Sequence, residues 1–329
     1  MALPMALLVG TGLLAGCATL APIGETAPRP PLPAVLAAAY DYAPQPLTAR
    51  WDPLGTEPSR RWQAQRVTLE GPGLPSPIRL DWYAPAWPGR HAAVLIFPIL
   101  WGNDLGVRDF AQGFAREGIH GIIVYRPKET FSMERPLSQL EGHFRASVVQ
   151  VRRTVDWLQT QPSVDGQRLG SLGISMGATL NILVASVEPR LTRYLFCLPA
   201  SHLAHVIITT KDRSIAKKRD EYLRRHHLTP AAAEAALTET LTSEPLSVAG
   251  AIDPARALAV IALWDRVIGW QNSLAIWRAL GRPPTLWVPT GHYTALLTLP
   301  YLQLRTLWFF RAWQSRRPKS AGAPERPRP

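Results

Sequence analysis

The sequence predicts an α/β fold, a mostly parallel central sheet with helices on both faces and a small helical cap. Three observations lead there. Apolar runs of strand length alternate with segments that are apolar at helical spacing. One run, Ala93-Val94-Leu95-Ile96-Phe97, is apolar throughout, as a strand covered on both faces must be. A Gly-x-Ser-x-Gly stands where another such strand gives way to a helix.

The elements follow in chain order. Trp62 to Leu69 and Ile78 to Tyr83 read as two early strands, with Gly71-Pro72-Gly73 marking the turn between them. They predict an antiparallel edge. His91 to Leu100 is the central strand. Phe110, Phe114 and Ala115 begin a helix that Gly118 closes. Gly121 to Tyr125 is a β-branched strand. Leu140, Phe144, Val148, Val151, Val155 and Leu158 recur at helical spacing and predict a long helix over 137–159. Leu169 to Ile174 is a strand, and helix resumes after Ser175. Arg193 to Leu198, 258–264 and Leu286 to Val288 are the remaining strands, with helices over 270–280 and 296–314. Residues 202–255 carry no strand signal. Thr229-Pro230 suits an N-cap followed by proline at the first helical position, so two or three helices are expected there as a cap.

Composition bounds the class. The 329 residues are 47% hydrophobic and 18% charged, which describes a chain able to bury a large core. The net charge of +12 favours anionic surfaces. Its arginines are spread along the chain, without zinc-finger spacing or a basic stripe interleaved with aromatics, so no nucleic-acid partner is expected. No His, Cys, Asp and Glu grouping has metal-ligand spacing, and no nucleotide loop is present, so neither metal nor cofactor is expected. Two cysteines, Cys17 and Cys197, make no disulfide framework. Cys197 lies in an apolar run and reads as a buried small hydrophobe.

Residues 1–16 form an apolar run too short to span a bilayer but long enough for an export signal. Leu14-Ala15-Gly16-Cys17 resembles the lipobox of bacterial lipoproteins, although no Lys or Arg precedes the run. That resemblance implies lipidation of Cys17, with Ala18 after it favouring the outer membrane, facing the periplasm. Stable anchoring takes about two acyl chains. Residues 17–55, rich in Pro and Ala, are expected to be a tether, 56–316 the folded domain with its cap at about 202–255, and 317–329 a disordered tail.

The nucleophile motif is Gly173-Ile174-Ser175-Met176-Gly177. Between a strand and a helix it fits a nucleophile elbow, a strained turn that exposes the serine hydroxyl at the N-terminus of a helix. Glycines are needed on either side because strand and helix backbones nearly touch. With Asp156-Trp157-Leu158 and Val164-Asp165-Gly166-Gln167-Arg168-Leu169 ahead of it, the chain from about residue 60 to 315 resembles the α/β-hydrolase superfamily, in particular its esterase, dienelactone-hydrolase and acetyl-xylan-esterase-like branches.

The resemblance implies a triad in the order Ser, acid, His. His292, in Gly291-His292-Tyr293 after the last strand, is the candidate base. His91, His120 and His143 precede the serine, and His202, His205, His226 and His227 lie in or beside the cap. Asp265 in Asp265-Arg266-Val267-Ile268 is the candidate acid, with Gly269 where the family often has proline; Asp253 is the weaker competitor. The Met176 amide is the expected first oxyanion donor. The second is expected from the loop after the central strand, at Leu100 or alternatively Trp101, in a loop unlike the esterase His-Gly-Gly type. Trp101, Phe131, Met176 and the cap are candidates to line an acyl pocket.

The implied activity is hydrolysis of a small or medium carboxylic ester or related acyl bond through an acyl-enzyme. A peptidase or amidase on the same fold, and a non-catalytic membrane-anchored binding protein, are the alternatives. Nothing in the sequence sets an oligomeric state.

Overall fold

A computed structural model describes residues 29–55, 59–100, 106–127 and 136–312. After a short helix α1 (Ala34–Ala38) come strands β1 (Thr48–Pro53), β2 (Trp62–Glu70), β3 (Ile78–Pro85) and β4 (His91–Phe97). Helix α2 (Val107–Arg116), strand β5 (Ile119–Val124), helix α3 (Gln139–Gln159) and strand β6 (Val164–Ile174) follow. Helix α4 (Met176–Val187) leads to β7 (Leu191–Cys197). Four helices come next: α5 (Leu203–Thr209), α6 (Arg213–Arg225), α7 (Pro230–Thr240) and α8 (Pro245–Val248). The chain closes with β8 (Ala257–Ala262), α9 (Trp270–Ala279), β9 (Thr285–Val288) and α10 (Leu299–Arg311).

The nine strands form one sheet in the order β1-β2-β3-β5-β4-β6-β7-β8-β9. The first four in that order pair antiparallel, and every pairing from β5 to β9 is parallel. Strands β4, β5 and β8 are buried along almost their whole length, which is why their sequences are unbroken apolar runs. Helices α2 and α10 pack on one face and α3 and α4 on the other. From β4 the chain goes to β5 on one side and then crosses to β6 on the other. Ligand sites in open α/β sheets lie at the carboxyl ends of strands at such a switch point.

The expected tether through residue 55 is corrected. Tyr40 is 1% exposed and its hydroxyl lies 2.8 Å from Ser243 Oγ. Tyr42 donates to Asp156, Arg152 donates to the Tyr40 carbonyl, and β1 pairs with β2. Trp51 on β1 meets Trp82 and Trp157, with ring centroids 5.5 and 5.8 Å away. These aromatics anchor a segment whose Pro-Ala composition reads as a spacer. The expected cap is also shortened. Among the described residues of 202–255, α5 to α7 cover the site, whereas α8 packs back against α4 and α9. Thr229 caps α7 by accepting from the Ala232 amide, with Pro230 at the first helical position. Residues 1–28 and 313–329, hence Cys17 and the expected tail, lie outside the described residues.

His120 sits at the amino end of the sheet, 1% exposed, between the Trp82 indole N–H and the Ser163 carbonyl, each 3.0 Å away. Its Nδ1 must accept from Trp82, so a second proton there would break that bond. Burial, chiefly, pushes its pKa down from 6.5 to about 4. The unfolded chain therefore binds the extra proton first, and stability is lost as pH falls through that window. Urea titrations between pH 6.5 and 4 should show His120→Gln free of a loss that reaches about 3 kcal/mol in the unmodified protein.

Candidate active site

Ser175 occupies the bend between β6 and α4 with φ 55° and ψ −118°, a conformation that L residues rarely adopt. Its amide donates to the Cys197 carbonyl at 2.8 Å, and its carbonyl accepts from Ala178 and Thr179 of α4. The bend is held from the strand side and from the helix side at once. The two glycines explain the tightness. A Cβ on Gly173 would stand 2.6 Å from Ala178 N. One on Gly177 would collide with the Phe97 carbonyl and stand 2.8 Å from that of Pro98. No flexible side chain is available to yield, because every one of these atoms is backbone.

Ser175, His292 and Asp265 are brought into one hydrogen-bonded line. Ser175 Oγ lies 2.9 Å from His292 Nε2, and His292 Nδ1 lies 2.6 Å from Asp265 Oδ2. A carboxylate can only accept, so Nδ1 carries the proton and Nε2 offers its lone pair to the serine. Asp265 is 2% exposed, and its other oxygen accepts from the Val267 and Ile268 amides. The competing groups lie elsewhere. Asp253 caps a 3₁₀ turn and pairs with Arg256. His202 bonds Ser201 and Asn272, and His205 pairs with Glu234. His143 lines the cavity beside the serine without joining the line.

At the first helical position of α4 the Met176 amide has no intrahelical carbonyl to bind. Opposite it runs the loop Pro98-Ile99-Leu100. Arg126, directly after β5, donates to the carbonyls of Pro98, Ile99 and Leu100 at 2.9, 2.6 and 2.8 Å. Burial pushes its guanidinium down to about 10, which leaves it a cation at neutral pH. A trans peptide points its N–H opposite to its C=O. Holding the Ile99 carbonyl against Arg126 thus turns the Leu100 N–H away from the arginine. Both Met176 and Leu100 border the cavity; Trp101 and Phe131 lie outside the described residues. Arg126 was missed by sequence reasoning. Its signal was a lone arginine ending a buried strand, in Tyr125-Arg126-Pro127.

The cap joins the same site. Tyr293 donates from its hydroxyl to Asp212, the residue that caps α6. Burial and this bond push the Tyr293 pKa up to about 12. Burial opposes the charge of Asp212, but bonds from Ser214, Tyr293 and two amides outweigh it and hold the carboxyl below its usual range. Thr210 donates to the Val267 carbonyl at 2.8 Å, in the loop that carries Asp265.

Residues 79–216, less than half of the chain, match the dienelactone hydrolase family. The fold is close to that of an acetyl xylan esterase from Paenibacillus sp. R4, with TM-score 0.68 and 18% identity over 84% of this chain and 91% of that one. The chain has the α/β-hydrolase fold. Acetyl xylan esterase 1 from Thermoanaerobacterium sp. JW/SL YS485 is similar in fold, with TM-score 0.66 and 15% identity, over 84% of this chain and 95% of that one. A 2,6-dihydroxy-pseudo-oxynicotine hydrolase is also similar, with TM-score 0.56 and 17% identity, over 75% and 67%. No curated protein matches the chain by sequence. At these identities the likeness is one of fold.

If Arg126 holds the loop in register, Arg126→Ala should slow fluorophosphonate labelling of the protein, by up to the roughly 10²–10³-fold that loss of one oxyanion donor costs. Added guanidinium should restore part of the rate. Labelling at the original rate in Arg126→Ala would remove the arginine from this role.

Proposed function

We propose that the protein is a carboxylesterase-like serine hydrolase in which Ser175 is the nucleophile, His292 the general base and Asp265 the residue that orients the base. The hydrogen-bonded line from Ser175 through His292 to Asp265, at a strained elbow, carries this reading. A serine hydroxyl is a weak nucleophile near neutral pH and needs a base within hydrogen-bond reach.

The reaction follows from that line. Ser175 Oγ attacks the acyl carbon while its proton passes to His292 Nε2. The carbonyl oxygen becomes an oxyanion, met by the Met176 amide and by the Leu100 amide from the facing loop. Asp265 stabilises the imidazolium without taking its proton. The tetrahedral centre collapses, the C–O bond to the alcohol breaks, and Nε2 returns its proton to the departing oxygen. Water then attacks the acyl-serine by the reverse proton path, releasing the acid and restoring the serine.

The family match supports an ester as the substrate. We further propose that a lipid on Cys17 holds the protein at a membrane, with Ala18 directing it to the outer one; Leu14-Ala15-Gly16-Cys17 motivates this. Among the described residues no helix is long and apolar enough to cross a membrane, so the anchor would be the lipid.

Fluorophosphonate should label the intact protein and leave Ser175→Ala unlabelled. Asp265→Asn should hydrolyse p-nitrophenyl acetate about 10⁴-fold more slowly, because the imidazole loses its tautomer. A folded protein that takes no label, or equal labelling of Ser175→Ala, would overturn the hydrolase reading. Cys17→Ser should move the protein from the membrane pellet to the soluble fraction of cells, and loss of palmitate incorporation should accompany it. A variant that still pellets and still incorporates palmitate would exclude anchoring at this residue.

A further inference from the structure

A cavity of about 400 Å³ opens beside Ser175 and runs beneath the cap. Its inner wall is built by Met176 and Leu198, and its far wall by Phe144, Ile207, Ala233 and Leu237. Ala233 and Leu237 of α7 line the cavity and are themselves fully buried.

Several polar residues along the wall are engaged within the protein. Thr179 donates to the Ser175 carbonyl and accepts from the Ala200 amide. Thr210 donates to Val267, and Ser214 to Asp212. Arg219 donates to the carbonyls of Ile208 and Thr210 and to Asp220. Asp212 already accepts from Tyr293 and Ser214. A sugar bound here would bury hydroxyls that these engaged groups do not serve, which costs free energy for each one. An alkyl chain makes no such demand and gains about the full transfer free energy of each methylene.

We propose that the cavity is an acyl-chain site and that the substrates are esters of medium-length, unbranched aliphatic acids. The inference rests on the hydrolase reading and names its substrate class. At about 30 Å³ per methylene-sized group, the liquid volume of a water, the cavity holds on the order of a dozen such groups. The acyl side is assigned because the acyl group stays covalently on Ser175 through both steps, whereas the alcohol leaves after the first. Burial of the acyl chain lowers the barrier to acylation from free enzyme and ester, and the acid, the product that keeps this chain, leaves last.

The test is a series of p-nitrophenyl esters from acetate to dodecanoate. Apparent kcat/KM should rise by up to about fourfold per added methylene until the cavity fills. Ala233→Phe should lower the decanoate-to-acetate ratio of kcat/KM by at least about tenfold. Leu237→Ala, which enlarges the same wall, should move the optimum to a longer chain. Calorimetry with Ser175→Ala gives a readout free of chemistry, in which decanoate should bind and acetate should not.

Serine-dependent hydrolysis with a profile falling from acetate would overturn the acyl-chain site while leaving the hydrolase reading in place. So would a rise with the length of the alcohol in a series of acetate esters, at a flat acyl profile, since that would assign the cavity to the alcohol. Decanoate binding by a protein that takes no fluorophosphonate would do the reverse, supporting the cavity and removing the catalysis. Absence of decanoate binding by folded Ser175→Ala would overturn the acyl-chain site by itself.

Discussion

The rest of the structure depends on how closely two backbones approach at the end of the sheet. Helix α4 begins so near the end of β4 that Gly177 has the Phe97 and Pro98 carbonyls where a Cβ would be. Gly173 faces the first turn of the same helix under the same restriction. This contact places Ser175 on a turn with positive φ and brings the loop 98–100 opposite the Met176 amide. A helix set back by the width of one methyl group would widen the gap between the two candidate oxyanion donors. It would also relax the bend that presents the hydroxyl. The glycines are therefore a requirement of the packing on which the proposed chemistry depends.

A loop forced that close to a helix has carbonyls that can bond neither to the sheet nor to the helix. Three consecutive peptide oxygens would be buried near the site without partners, at about 1–3 kcal/mol each. Arg126 meets all three, with a fork of N–H groups that an ammonium lacks. The same bonds set the orientation of the peptide planes, so satisfying the loop and aiming its amides are one event. A buried cation also places positive charge on the side of the site where the proposed mechanism develops negative charge.

How much of this was legible in the sequence depended on the range of the interaction. The parallel strands were legible because burial on both faces leaves an unbroken apolar run, as in Ala93 to Phe97. The elbow was legible because its constraint acts within five residues. The line of Ser175, His292 and Asp265 came from chain order and resemblance, and spacing alone would not have paired residues so far apart. Strand β1 was not legible, because its ladder partner is β2 and its neighbours in sequence are Pro and Ala. Only Tyr40, Tyr42 and Trp51 marked that segment as packed. Arg126 was hidden for a similar reason: an arginine after a strand is ordinary until the loop from another strand is folded against it. The far end of the cap was misplaced because α8 has the composition of its neighbours but packs on α4.

The cap is tied to the residues it covers. The short link between α5 and α6 makes two bonds into the loops that carry Asp265 and His292. Thr210 reaches the carbonyl of Val267, two residues after Asp265, and Asp212 takes the Tyr293 hydroxyl, one residue after His292. Val267 in turn donates its amide to Asp265, so the link, the acid and its loop share one hydrogen-bond chain. A displacement of α6 would then be felt at both the acid and the base, not only at the wall of the cavity. The α6 N-cap keeps its charge because bonds to Ser214, Tyr293 and backbone amides outweigh burial, so the latch is closed where Asp212 is ionised and Tyr293 is protonated. An apolar chain in the cavity would contact residues of α5 to α7. The covering of the proposed acyl-chain site and the loops that hold Asp265 and His292 are in this way joined by hydrogen bonds, so the proposed substrate fit and the proposed catalytic geometry are coupled.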